Sequence, residues 1–299
     1  MLRFSVFLTL GLLLVGMAAA QNMSLVEEKS TRVSDHVYAI MGFPNIAIIV
    51  GNRATLVVDT GLGPRNGATA MRVVNKLSTN QRLYLTTTHF HAEHTAGEAG
   101  FPTDIIIVRP AVQQQEVEKS LAGMITRFSG MSAQNRDLLA GVKVRSPDMV
   151  FDREIKLDLG GVTARLMWLG QAHTKGDEVI FVEPDSALIP GDIVQDKLVP
   201  RVNPDEGSPK SWLAVLDKVE PLKPRYIVPD HGDLGDGSLI AKQRAFMSDL
   251  QSRALALKRQ GVPAADAGKR LTAEITAQYS GWSNLNLVES FVERVYEEN

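Results

Sequence analysis

The sequence predicts an α/β protein of layered sheets with helices on the outside. Three observations lead there. Short β-branched runs alternate with amphipathic helical runs along the chain. The 299 residues are 44% hydrophobic, enough to fill a full core. Five of the six histidines fall in turns that follow strand-like runs, where a rigid sheet can present side chains toward one point.

The chain opens with a charged residue, Arg3, an apolar run from Phe4 to Val15, and small residues from Ala18 to Ala20. These are the parts of a cleavable signal peptide over residues 1–20, with the mature chain beginning at Gln21. The apolar run is shorter than the ~20 residues of a membrane span, so an uncleaved anchor is the alternative rather than the first reading. A periplasmic or secreted protein is expected, with no stable membrane association after cleavage.

Segments 36–42, 45–51 and 54–61 are β-branched and punctuated by Gly, Pro or Asn, and they read as three successive antiparallel strands. Residues 67–78 have helical spacing, with Met71, Val74 and Leu77 on one stripe. Residues 82–90 return to strand and run into a histidine cluster, and 103–108 form another buried strand. The stretch 111–139 reads as mostly helical and placed to cover a site, with Met124, Phe128 and Met131 as packing residues or an apolar rim.

A second block follows. Segments 162–170, 178–184 and 186–192 are strands, each closed by a turn. Ser208 before Pro209 starts a helix that runs to 222, with Trp212, Leu213 and Leu216 on one face. Residues 224–232 are the last strand. Helices are expected at 238–258, 264–278 and 283–297, broken at Gly261-Val262-Pro263. Trp282 and Phe291 read as core residues of this tail, or as part of a cleft wall or dimer contact.

Formal charge is −2, from 32 basic and 34 acidic residues with no block of like sign. That argues against nucleic acid or an anionic membrane surface and for a small-molecule substrate. Cysteine is absent, so thiolate ligands and a cysteine nucleophile are excluded and any metal must be held by nitrogen and oxygen.

The donors of that kind are concentrated. His89, His91, Glu93 and His94 lie together in THFHAEHTAG. His173 follows one later strand in GQAHTKGD, and His231 follows another in VPDHGD. Asp59 ends TLVVD and Asp192 ends ALIPGD. His36, which opens a strand beside Asp35, reads as a surface residue. His89 and His91 are two apart on an extended segment and point the same way, while Glu93 and His94 turn toward a second point. Three protein ligands completed by water is the pattern of a catalytic rather than a structural metal site.

These residues, in this order, resemble the metallo-β-lactamase fold superfamily, whose signature is H-x-H-x-D-H, a later His, a later Asp and a final His, preceded by an Asp at a strand end. The resemblance implies a four-layer αβ/βα sandwich of that type over residues 21–240, with a C-terminal helical region, 241–299, packed on it. It implies that His89, His91 and His173 hold one zinc, that Glu93, His94 and His231 hold a second, and that Asp192 bridges both. Asp59 then supports a ligand through hydrogen bonds. Two zinc ions are expected, with one ion or iron as alternatives.

Glu93 departs from the family's Asp. One more methylene moves the carboxylate by ~1.5 Å on a fixed backbone. Either the loop shifts so that Glu93 still ligates, or the second site survives on His94, His231 and Asp192, or Glu93 acts as a base beside a single metal. The first outcome is expected, with Glu93 and Asp192 as the catalytic carboxylates.

The implied activity is hydrolysis of a small ester, thioester or lactone by zinc-activated water, with side activity on β-lactams. The chain has no G-x-S-x-G elbow for a serine mechanism. The alternatives are a mononuclear iron oxidoreductase resembling persulfide dioxygenases, with His89, His173 and Asp192 as ligands, a dedicated metallo-β-lactamase, and a non-catalytic metal-binding module.

Overall fold

The structure, a computed structural model, describes residues 25–298. The expected signal peptide lies outside the described residues. A first sheet has seven strands in sequence order: β1 (Thr31–Arg32), β2 (Val37–Ile40), β3 (Ile46–Val50), β4 (Ala54–Val58), β5 (Arg82–Thr86), β6 (Ile106–Pro110) and β7 (Met149–Phe151). Pairing is antiparallel from β1 to β4 and parallel from β4 to β7. The second sheet has five strands: β8 (Glu154–Asp158), β9 (Thr163–Trp168), β10 (Glu178–Glu183), β11 (Ala187–Ile189) and β12 (Tyr226–Ile227). Only its β11–β12 pair is parallel.

Side-chain alternation along the strands builds the layers. Ala47, Ile49, Leu56 and Val58 of the first sheet meet Leu166, Ile180, Val182 and Ile189 of the second in one buried cluster. Their neighbours in sequence face outward. Ile46, Ile48, Val57 and Leu85 pack on Ala70, Met71, Val73 and Val74 of helix α1 (Pro64–Leu77). Met167, Val179, Phe181 and Leu188 pack beneath Trp212, Val215 and Leu216 of α5 (Pro209–Val219). The result is the expected four-layer αβ/βα sandwich. Gly67 of α1 lies against Gly97, whose carbonyl oxygen would overlap any Cβ there, so this helix–loop approach requires glycine.

The remaining helices fall where the periodicity puts them, with shifted ends. The one-turn α2 (Ala92–Thr95) carries part of the histidine motif. The 111–139 stretch splits into α3 (Ala111–Met131) and α4 (Ala133–Leu138) at Ser132, whose hydroxyl accepts from the Asn135 N–H as an N-cap. The tail forms α6 (Ser238–Arg259), α7 (Ala264–Gln278) and α8 (Val288–Glu298). Phe246, Leu250, Leu271, Ile275, Phe291 and Val292 from these helices join the same cluster as Trp212, on the outer face of the second sheet. Phe291 is fully buried, and Trp282 stacks on Phe246 with ring centroids 4.7 Å apart.

Some expectations need correction. Strands β1, β7 and β8 were not anticipated, because β1 and β7 are short and all three are largely exposed. The segment expected as a strand over 224–232 is extended and paired only at Tyr226–Ile227. Helix α5 stops at Val219, and a 3-10 turn continues to Leu222. His36 is half-exposed, as a surface residue is, but it is paired. Its Nδ1 lies 2.7 Å from Asp185 Oδ1, and its backbone N–H donates to Oδ2 of the same carboxylate at 2.8 Å. Among the described residues no helix is long and apolar enough to cross a membrane.

Candidate metal centre and cavity

The donor side chains leave five strand ends and meet at one edge of the sandwich. Asp59 follows β4, the histidine cluster follows β5, His173 follows β9, Asp192 follows β11 and His231 follows β12. Asp59 adopts φ 71°, an uncommon left-handed conformation for a residue with a Cβ, which turns its carboxylate beneath the His89–His94 segment. There it accepts from the Thr88 N–H at 2.7 Å and lies 3.0 Å from His94 Nδ1.

Two donor sets result. Ligand atoms of His89, His91 and His173 lie within 4.8 Å of one another, and so do those of Glu93, His94 and His231. Asp192 stands between them, with Oδ2 3.3 Å from His173 Nε2 and Oδ1 3.3 Å from His231 Nε2. It also groups with His89 and His94. All seven residues are buried. The structure therefore brings together every residue that the sequence nominated as a ligand, Glu93 included.

The free ends of these side chains test whether a cation fits. Among the described residues His89 Nε2, His94 Nε2, Glu93 Oε2, Asp192 Oδ1 and His231 Nδ1 are buried without a hydrogen-bond partner. Buried polar atoms are normally satisfied, so several unpartnered ones within one donor cluster suit a metal, with His231 turning its Nε2 rather than Nδ1 to Asp192. The remaining two ligating rings are tied down at one end. His173 Nδ1 donates to the Arg201 carbonyl at 2.9 Å, and His91 Nε2 lies 3.0 Å from Glu206 Oε2. Fixing one ring nitrogen in this way aims the other.

The electrostatics agree. Burial, reinforced by the neighbouring imidazoles, holds His89 well below its ordinary value and keeps the ring neutral. Burial acts in the same sense on His91 and His231 and lowers both. Burial would also lower His94, but Asp59 and Asp230 beside its Nδ1 more than reverse this and hold it well above. Burial alone would raise Asp192, yet His231 and His173 outweigh it and keep the carboxyl ionised.

The donors open on a cavity of about 310 Å³. Its lining includes the apolar Phe43, Leu62, Met124, Phe128 and Met131 and the polar Gln195, Arg201 and Asn203. Arg127 adds a second guanidinium to the lining. This is the size of a small-molecule site. Met124, Phe128 and Met131 thus line the cavity.

Asp230, Glu206, Thr88 and the two arginines were not singled out from the sequence. Asp230 carried the clearest signal, as an acid directly beside His231. Glu206 and Arg201 lie in the irregular segment 195–207, where no periodicity says which way a side chain faces.

Comparison with known proteins agrees with this geometry. The model of the metallo-beta-lactamase superfamily matches residues 40–231. The chain is 25% identical over 262 residues to a metallo-beta-lactamase type 2 of Bacteroides fragilis, covering 82% of this chain and 96% of that protein. It is 24% identical to a linear primary-alkylsulfatase of Pseudomonas sp. (strain ATCC 19151), covering 59% of this chain but only 39% of that longer protein. The structure of a stereoselective inverting sec-alkylsulfatase, Pisa1 from Pseudomonas sp., superposes with a TM-score of 0.68 at 16% identity, covering 90% of this chain and 50% of that one. With a matched span that runs from the end of β2 to the last of the clustered histidines, the chain belongs to the metallo-beta-lactamase superfamily.

Proposed function

We propose that the protein is an exported, dinuclear zinc hydrolase of a small ester, thioester or lactone, with side activity on β-lactams. One observation carries the reading: the two oxygens of Asp192 face His173 on one side and His231 on the other, each at 3.3 Å. A carboxylate placed to join two donor sets suits a pair of ions better than a single one.

His89, His91 and His173 would hold one ion, and Glu93, His94 and His231 the other, with Asp192 shared. When bound, zinc acts as a Lewis acid that lowers the pKa of water and polarises the scissile bond. The chain's own groups do the rest. The apolar wall of Phe43, Met124 and Phe128 receives the body of the substrate and excludes bulk water. Arg201 and Arg127 meet an acidic group on it. Glu93 Oε2, without a hydrogen-bond partner, accepts a proton from the attacking water and returns it to the leaving oxygen, sulfur or nitrogen.

The test is metal analysis of protein purified without added metal, followed by a panel of lactone, thioester, β-lactam and alkyl sulfate substrates. Alkyl sulfates belong in it because an apolar wall with two guanidinium groups also suits a sulfated alkyl chain. About two zinc per chain and turnover of a lactone or thioester are expected. One iron per chain would turn the reading to an oxidoreductase.

A further inference from the structure

Asp230 is not among the seven nominated donors, yet it is 1% exposed and groups with Asp59 and His94 behind them. Its Oδ2 accepts from the Thr88 hydroxyl at 2.6 Å and lies 3.3 Å from His94 Nδ1. On the same Nδ1, Asp59 Oδ2 stands at 3.0 Å. Two carboxylates from different strand ends, β4 and β12, therefore back one imidazole. The opposite nitrogen, Nε2, is the buried atom without a partner that faces Glu93 and His231.

The local structure fixes Asp230 in that place. Its carbonyl accepts from the Asn45 N–H at 2.7 Å, and Asn45 Nδ2 donates to the carbonyls on either side, those of Pro229 and Gly232. Gly191, just before the shared carboxylate, has φ 62°, and a Cβ there would lie 2.9 Å from Thr88 Cβ and 3.4 Å from Asp230 Oδ2. The pocket behind His94 is thus shaped around the Asp230 side chain. A threonine hydroxyl could be satisfied by a neutral acceptor at far lower desolvation cost than a carboxylate. What an acid adds is a carboxyl oxygen aimed at His94 Nδ1, held there although burial and the neighbouring Asp59 push this carboxyl well up, with His94 itself working the other way.

We propose that Asp230 is a positioning residue for the second donor set: together with Asp59 it holds the His94 ring by Nδ1 and strengthens Nε2 as a donor, so that it sets the affinity of the second metal ion. This rests on the dinuclear reading above. The dipeptide Asp230-His231 then supplies two things at once, one donor and the support of another. A buried carboxylate that orients a ligating histidine and raises its basicity is worth roughly 10–100-fold in metal affinity.

The test is calorimetric titration of Zn²⁺ into metal-stripped protein, with Co²⁺ as a spectroscopic probe, for wild type, Asp230→Asn and Asp230→Glu. Wild type is expected to take two equivalents. Asp230→Asn keeps the shape and loses the carboxyl, and should bind the second equivalent roughly 10–100-fold more weakly while the first changes little. Asp230→Glu, which restores the carboxyl, should bind the second equivalent more tightly than Asp230→Asn. Histidine ¹⁵N spectra of wild type should show His94 as the Nδ1–H tautomer, a readout that needs no variant to fold. Equal second-site affinity in folded Asp230→Asn, equal loss at both sites, or an Nε2–H tautomer overturns the inference and leaves the hydrolase reading standing. A third equivalent in wild type that Asp230→Asn lacks also overturns it, since Asp59, His94 and Asp230 would then be ligands themselves. Wild type that binds no metal overturns the hydrolase reading first.

Discussion

Glu206 Oε2 lies 3.0 Å from His91 Nε2, which leaves Nδ1 of that ring facing His173 Nε2 at 3.3 Å. Glu206 comes from the irregular segment after β11, the second sheet's fourth strand, not from a sheet edge, and Asn203 Nδ2 donates to the same carboxylate. Burial works against its charge, but the hydrogen bonds from His91 and Asn203 hold the Glu206 carboxyl down at about 2. Replacing it by Gln should weaken the first metal equivalent by roughly 10–100-fold with little change in the second. Chelator competition on the two-metal protein measures this.

His91 tests ligation alone, whereas Glu93 is placed both to hold the second ion and to move a proton. His91→Ala removes a donor that nothing nearby replaces and should abolish turnover of every substrate in the panel. Glu93→Gln should lower kcat by roughly 10²–10⁴-fold, the usual contribution of a general base. Glu93→Asp, which restores the superfamily's usual residue, should retain activity. Steady-state kinetics on a lactone decide it, and a His91→Ala protein as active as its parent would sink the mechanism.

Arg201 lines the cavity wall and makes no side-chain ion pair among the described residues. Its replacement by Ala should raise KM about tenfold or more for a substrate bearing a carboxylate or sulfate, the scale of one charge-assisted hydrogen bond. It should leave KM for an uncharged ester nearly unchanged. Equal effects on both would remove Arg201 from substrate recognition.

Glu178 gives a pH signature. It is fully buried, with the Thr86 hydroxyl as its side-chain partner, and burial pushes its carboxyl well above 4.5. The folded state then holds a proton that the unfolded state releases above 4.5. This contribution to stability is full below that value and declines as pH rises, by at most about 1.4 kcal/mol per pH unit until the folded carboxyl ionises. Glu178→Gln removes the decline. Urea midpoints of the two proteins should therefore diverge from pH 5 to pH 8 in favour of the variant.

Phe291 is fully buried in the cluster that joins α6, α7 and α8 to the second sheet. Phe291→Ala should cost roughly 3–5 kcal/mol, the usual range for a buried aromatic. Chemical denaturation reports it, and a loss below 1 kcal/mol would mean that the tail packs loosely.

Much of this architecture is legible in the sequence because its signals are local. The β2–β4 strands alternate between two buried faces, and the helices of the tail keep a 3.6-residue period. Spacing within THFHAEHTAG, and an acid or histidine after each later strand, disclosed the donors. What stayed hidden depends on chain paths that no period encodes. Glu206 and Arg201 act from an irregular segment, β7 is too short to stand out, and β8 is too exposed. Asp230 was visible but uninformative alone, since only the fold shows that Asp59 and Thr88 meet it.

Ser283, just ahead of the last helix, is laced to the cavity wall. Its N–H donates to the Lys197 carbonyl at 2.9 Å and its carbonyl accepts from the Val199 N–H at 3.1 Å. The strap that reaches the Arg201 carbonyl and the Glu206 carboxylate is thereby anchored to the far end of the chain. Fraying at that end would slacken the grip on His91 and His173 from a distance, so gentle heating should release metal while both sheets are still intact.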